Sequence, residues 1–361
     1  ISWFFQTVGI LVGSIWAYYE LGWGGYWFWD PVENSSLMPW FLMTALIHSI
    51  LILQRKEGIY LWVVVLSILT FTMSVTGTFL VRSGVLNSVH TFANDPSRGL
   101  YILTFLTLMI FLSIFVFYKY APKETRNFEF LSKEFFIIIN NWFMIFFLVV
   151  VLIGTLYPIA LEVFSGQKIS VGPPYYNIIM APFLIPFLFF VSYGPQTKWH
   201  YSGTFYNIKR NLFIISFSTI LVLLFFYFIK IENFIIYFVL ILSLYLIFQN
   251  IFHFLTNIKK NYPNYFYSDF PRTLSHLSFG LLIFFISINS IFSVQYDLNL
   301  KVGETKKINN FEIELKNLNV FSEKNYKKFV GNVIILDHIK NDKEILKPEI
   351  RIYNQPETLT Y

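Results

Sequence analysis

An all-α polytopic membrane protein of about nine transmembrane helices, with a small extracytoplasmic β domain at its C-terminal end, is the fold this sequence predicts on three observations. First, of 361 residues 55% are hydrophobic, 21% aromatic and only 13% charged, with mean hydropathy +0.56. A soluble domain carries about 25% charged residues, so a bilayer is the expected solvent. Second, apolar runs long enough to cross a bilayer recur along most of the chain. Third, residues 295–361 are charged and alternate apolar with polar in short runs.

Runs of about 18–22 apolar residues fit membrane-spanning helices. They occur near 2–19, 37–54, 59–80, 99–119, 135–157, 177–194, 211–229, 234–255 and 273–294. If residues 23–34 face outward, the loops after every second helix and their edges hold Arg55, Lys56, Lys119, Lys123, Arg126, Lys133, Lys198, Lys209, Arg210, Lys259, Lys260 and Arg272. The opposite loops hold Arg82, Arg98, Lys168 and Lys230. Twelve basic residues against four is a positive-inside bias. It accounts for the formal charge of +6 by topology, and no nucleic-acid partner is needed. In the tail, Phe311–Leu315, Val333–Leu336 and Glu349–Tyr353 alternate at period two, as half-buried strands do. The expected division is a membrane domain over 1–294 and a β-rich domain over 295–361. Cysteine is absent, which excludes a disulfide framework, a redox thiol and cysteine-ligated metal. The chain begins at Ile1 inside an apolar run and closes at Tyr361 without a stop signal, so further residues are expected at both ends.

Between the first two apolar runs lies Trp23-Gly24-Gly25-Tyr26-Trp27-Phe28-Trp29-Asp30-Pro31-Val32-Glu33-Asn34, with five large aromatics and two glycines in its first eight residues. Single aromatics such as Trp40 or Trp62 fit the interfacial belt. A dense group around a Gly-Gly pair makes a stacking surface for a flat ligand, because glycine lets backbone approach it closely. Asp30, Pro31 and Glu33 stand at the positions of a helix cap, a first helical residue and a capping-box acid. These acids serve the helix start or the ligand, and residue type alone leaves both open.

The histidines separate by depth. His48 lies about six residues from the inner end of its helix and His276 about five residues beyond Pro271, which puts both about 7–9 Å inside the same face. Two neutral imidazoles at matched depth can supply both axial ligands of a b-type haem; interhelical hydrogen bonds are the competing use. His253, at the inner edge of the eighth helix, rivals His276. His90 lies in an outward loop together with Arg82 and Arg98. That grouping suits an iron ligand with carboxylate-binding neighbours, or else a solvated loop with membrane-edge anchors. His200 and His338 sit in polar surroundings without a special pattern.

The aromatic run resembles the signature of the WWD superfamily of haem-handling membrane proteins, and in particular of its CcmF-type haem lyase subunits, with Tyr26 where Trp is usual. The resemblance continues through Met38-Pro39-Trp40, Ala45–Ser49, Gly77–Leu86, Ser88-Val89-His90, Asp95-Pro96 with Arg98-Gly99, and Ser275-His276-Leu277. It implies that His48 and His276 hold a resident haem b in the membrane. It implies that His90 ligates a second haem, the substrate being transferred, over a platform including Trp23, Gly24, Gly25, Tyr26, Trp27, Trp29 and Asp30, with Arg82 and Arg98 nearby. A second external histidine is expected before the aromatic run, and this chain has none before His48. The implied partners are a haem chaperone, an apocytochrome c with a Cys-x-x-Cys-His site, and thiol-reducing and apocytochrome-binding subunits. The implied place is a bacterial inner membrane with delivery on the periplasmic side, the mitochondrial inner membrane being the alternative. A haem exporter of the same superfamily, a paralogue dedicated to a specialised cytochrome such as nitrite reductase, and a plain b-type electron-transfer subunit are the competing functions.

Overall fold

The computed structural model describes residues 1–20, 25–55, 59–86, 95–121, 129–167, 169–199, 207–228, 234–259, 265–354 and 357–360. Long helices form where the apolar runs lie: α1 (Ser2–Glu20), α2 (Pro31–Arg55), α3 (Tyr60–Ser83), α4 (Pro96–Tyr120), α5 (Lys133–Ser165), α6 (Pro173–Tyr193), α7 (Ile208–Phe228) and α8 (Phe234–Lys259). A 3-10 turn, η1 (Gly194–Gln196), extends α6, and a short α9 (Tyr265–Ser268) precedes α10 (Phe270–Phe292). Among the described residues eight of these helices, all but α1 and the short α9, are long and apolar enough to cross a bilayer. The all-helical membrane architecture with a small C-terminal sheet is therefore present.

Local chemistry sets the helix ends. Asp95 caps α4, its carboxylate accepting from the Arg98 backbone N–H at 3.1 Å, with Pro96 at the first helical position. Ser132 caps α5 in the same way through the Phe135 N–H, and α5 stops at Gly166, whose φ of +70° suits the left-handed C-terminal turn. Two boundaries differ from the apolar pattern. Helix α2 starts at Pro31, as its Asp30-Pro31-Glu33 cap signature indicates and ahead of the apolar run at residue 37, because Glu33, Asn34 and Ser35 are polar yet buried inside the fold. Asn34 spends its amide on the Tyr176 hydroxyl at 2.9 Å, which is how a buried polar group escapes its desolvation cost. Helix α5 runs on past Pro158 to Ser165, since a membrane helix can re-satisfy the carbonyl that proline frees.

The chain groups into two compact units. In the larger, Asn34–Leu86 and Asp95–Ser293, α8 is central and packs on α6, α7 and α10. Leu188, Ile214, Val239, Leu242 and Tyr245 form its buried apolar core. Small residues let helices close up: the position of a Cβ on Gly77 would lie 3.0 Å from the Ser35 carbonyl oxygen.

The other unit holds Ile1–Glu33 and Val294–Tyr361. Its sheet is antiparallel throughout, in the order β1 (Thr305–Ile308), β2 (Phe311–Ser322), β3 (Tyr326–Asp337), β5 (Glu349–Asn354), β6 (Glu357–Thr360), with β4 (Asp342–Leu346) also pairing β3. The β2–β3 hairpin is longer than the alternating runs indicate, twelve residues a side, and a bulge between Leu315 and Asn317 shifts its register. Arg351 of β5 pairs with Glu349 and reaches Glu20 at the end of α1, 3.8 Å away.

Candidate functional site

The aromatic stretch turns into α2 through a doubly used acid. Glu33 Oε2 accepts from the backbone N–H of Phe28 at 3.0 Å and of Asp30 at 3.2 Å, while Asp30 Oδ2 accepts from the Val32 N–H at 2.9 Å. Both acids thus build a capping box, which settles them structural work whatever else they touch. Trp29 bends into the left-handed region at φ +58°, a conformation a bulky residue holds only when its surroundings impose it. The consequence is an edge-on pair, Trp27 and Trp29, 6.0 Å apart at 89°. The Trp27 indole N–H is buried without a hydrogen-bond partner among the described residues, and Tyr26 stays exposed. Gly25 makes room for its own neighbour: a Cβ there would sit 3.1 Å from the Phe28 ring. Trp23 and Gly24 lie outside the described residues, as does His90.

The two ends of the loop that carries His90 are held together. The Asp95 N–H donates to the Arg82 carbonyl at 2.9 Å, and Gly99 lets α4 press on α3, since a Cβ there would fall 2.8 Å from Ser83 Cα. Arg98 lies beside Asp95, with 3.1 Å between Nε and the carboxylate, and is largely exposed. Such a surface pair contributes under about 1 kcal/mol, so it leaves the guanidinium available to a stronger anion.

Helices α2 and α10 bring His48 and His276 together. Their ring centroids are 6.3 Å apart and the rings are tilted by 37°. His48 Nδ1 lies 2.8 Å from the Thr44 carbonyl, which can only accept, so the proton is on Nδ1 and Nε2 keeps its lone pair. A histidine that ligates a metal uses its second nitrogen in this manner. His276 Nδ1 is buried without a partner among the described residues. With an imidazole–metal bond of about 2 Å and the half-width of each ring added, two axially bound rings lie about 6 Å apart centre to centre. The observed spacing therefore fits iron held between two imidazoles. Among the described residues no three His, Cys, Asp or Glu converge on one point. One residue beyond His48, the Asn141 amide ties α2 to α5 and α3, its oxygen accepting from Ser49 Oγ at 2.7 Å and Trp62 Nε1 at 3.1 Å, its nitrogen donating to the Ala45 carbonyl at 3.2 Å. That node was not legible as part of a site, because Asn141 stands in an otherwise apolar run.

His253 is occupied elsewhere. The Arg272 guanidinium donates to its Nε2 at 3.1 Å, and the Thr273 hydroxyl stands 3.2 Å from its Nδ1. It belongs to a polar stripe on α8, Tyr245, Gln249, His253 and Asn257, each one turn from the next. Tyr245 and Gln249 share the Asn211 side-chain oxygen of α7 as acceptor. His253 thus has polar partners at both ring nitrogens, whereas His276 Nδ1 has none among the described residues.

Comparison with known proteins places these features in context. The model of the Cytochrome C assembly protein family matches residues 1–87. The chain is 35% identical to the cytochrome c-type biogenesis protein CcmF of Pseudomonas aeruginosa over 98% of its own length and 55% of that protein. It is 50% identical to CycK of Bradyrhizobium diazoefficiens over 55% of its length and 30% of that protein. A solved structure described as the cytochrome c haem lyase CcmF superposes with a TM-score of 0.70 over 98% of the chain and 54% of that structure, at 22% identity, which speaks to the fold. The chain spans about half the length of the CcmF relative and of that structure.

Proposed function

Because the chain belongs to the CcmF family of cytochrome c-type biogenesis proteins, we propose that it is the haem-handling membrane part of a haem lyase, joining haem to the Cys-x-x-Cys-His site of an apocytochrome c. The observation that carries this reading is the His48–His276 couple, set within apolar helices at the spacing of two axial ligands. His48 and His276 would hold a resident haem b, His48 through Nε2. A haem held by these two imidazoles would supply one-electron redox chemistry, suited to keeping the delivered iron ferrous. Thr44 and the Asn141 node fix the His48 ring and its helix, so the site is organised before the group arrives.

The transferred haem is a substrate, and the outward aromatic run with His90 is the proposed platform for it. Trp27 and Trp29 offer a right-angled pocket of ring faces and edges, and the buried Trp27 N–H offers a donor. The Asp30–Glu33 capping box keeps that turn in place, and Arg82 and Arg98 would meet carboxylates. Bond formation is an addition: each peptide thiol gives its sulfur to one vinyl carbon and its hydrogen to the other, with no net oxidation. The thiols come from the apocytochrome, since this chain has no cysteine. The chain's contribution is then position and orientation. A haem chaperone would deliver from the periplasmic side of a bacterial inner membrane, alongside thiol-reducing and apocytochrome-binding subunits.

The test is to express the full-length protein with an apocytochrome c, with and without the haem chaperone. Covalent c-type haem that forms only with the chaperone present is the expected result. Haem accumulating outside the membrane without chaperone or apocytochrome would replace the lyase reading with an exporter.

A further inference from the structure

At the end of the larger unit where the charge bias puts the cytoplasm, a cavity of about 320 Å³ opens among α5, η1, α7, α8 and α10. Among the described residues Lys133, Lys198, Arg210 and Arg272 line it, against one acid, Asp269. Even with Glu134 counted, which is buried in the first turn of α5, basic side chains outnumber acidic ones four to two among the described residues there. The cations are held in place by their neighbours. Lys133 Nζ lies over the Trp199 ring at 5.5 Å, the Arg210 guanidinium over Phe252 at 5.2 Å, and an Arg210 N–H donates to Gln196 Oε1 at 3.3 Å. Arg272 spans Asp269 at 3.3 Å and His253 at 3.1 Å.

Three helices also begin at this cavity. Its lining includes Lys133, the first residue of α5, Asn207 just before α7, and Asp269, the cap of α10. Each helix start adds partial positive charge in the same direction as the side chains. Like charges gathered around one cavity repel, as Arg272 does Lys133, and a bound anion relieves that repulsion. The volume is that of a small-ligand pocket, and basic pockets between membrane helices on the cytoplasmic side accept phosphate-bearing headgroups.

We propose that this cavity is a binding site for a phosphate ester, supplied by the headgroup of an acidic membrane lipid or by a soluble phosphate. It stands apart from the haem reading, and the bound anion locks α5, α7 and α10 together at their starts. The roles of its basic residues thereby go beyond orienting the chain in the membrane.

The experiment is native mass spectrometry of the full-length detergent-purified protein titrated with phosphatidylglycerol or phosphatidylcholine, and in parallel thermal unfolding with inorganic phosphate against chloride at equal ionic strength. Wild type is expected to retain phosphatidylglycerol in preference to phosphatidylcholine. Removing one cation should weaken that binding roughly five-fold, and Lys133→Gln with Lys198→Gln about 25-fold. Lys198→Gln alone, at an exposed position, keeps the test readable if the double variant folds poorly. Lys209→Gln, exposed on α7 and outside the lining, should change nothing. Stabilisation by inorganic phosphate that is lost in the double variant, without lipid preference, assigns the source as soluble phosphate. Binding of neither probe, or equal loss in the Lys209 control, overturns the site.

Discussion

Alanine in place of either His48 or His276 is expected to remove the b-type reduced-minus-oxidised absorbance from the purified protein almost completely, while His253→Ala leaves it intact. All three histidines lie toward the same end of their helices, so depth does not distinguish them. Partners do. His253 already receives a hydrogen bond from Arg272 at 3.1 Å, and a nitrogen whose lone pair is used in that way cannot also bind iron. His48 keeps Nε2 for a ligand because Nδ1 is committed to Thr44, and His276 stands at 6.3 Å from it. A purely structural histidine would show itself as lost stability with no spectral signature. His276→Met separates the two cases: it should retain haem and raise its potential, as His/Met ligation does.

Gly99→Val is expected to damage the proposed delivery side while sparing the haem proposed between His48 and His276. The added Cβ would lie 2.8 Å from Ser83 Cα and 3.0 Å from Ser83 Cβ, so it meets backbone that cannot swing aside. Helices α3 and α4 must separate, at a cost of about 1–3 kcal/mol for an overpacked contact. Their ends carry Arg82, Arg98 and the Asp95–Arg82 backbone bond that closes the loop with His90. Thermal unfolding should fall to lower temperature and c-type haem yield should drop, while the difference spectrum of the b-type haem keeps its shape. A variant with normal yield would show that this pinch does not govern delivery.

Much of the fold was legible because a bilayer demands long apolar runs, and these read directly from the chain. The first turn of α2 was legible from its cap signature at Asp30, Pro31 and Glu33, although the apolar run begins only at residue 37. What stayed hidden is why Glu33, Asn34 and Ser35 are buried, since nothing local announces that Tyr176, far along the chain, awaits the Asn34 amide. The strands of the C-terminal sheet were placed by alternation, but their length depends on cross-strand pairing, which a single strand does not display. At the site, the residue types at 48 and 276 named the candidates, and what distinguishes His253 from them is its hydrogen-bond partners, which the sequence does not display. Asp30 and Glu33 were balanced between cap and ligand contact; their bonds to Val32, Phe28 and Asp30 give the cap its weight. Arg272 read as a topology marker, and its place between His253 and Asp269 is a tertiary fact.

Electron paramagnetic resonance of the oxidised, full-length protein tests the central claim most directly, because the spin state of ferric haem reports both axial positions at once. Two imidazoles enforce a low-spin signal, which His48→Ala or His276→Ala should abolish. A high-spin signal in the wild type, or a low-spin one that survives both substitutions, would contradict the His48–His276 site.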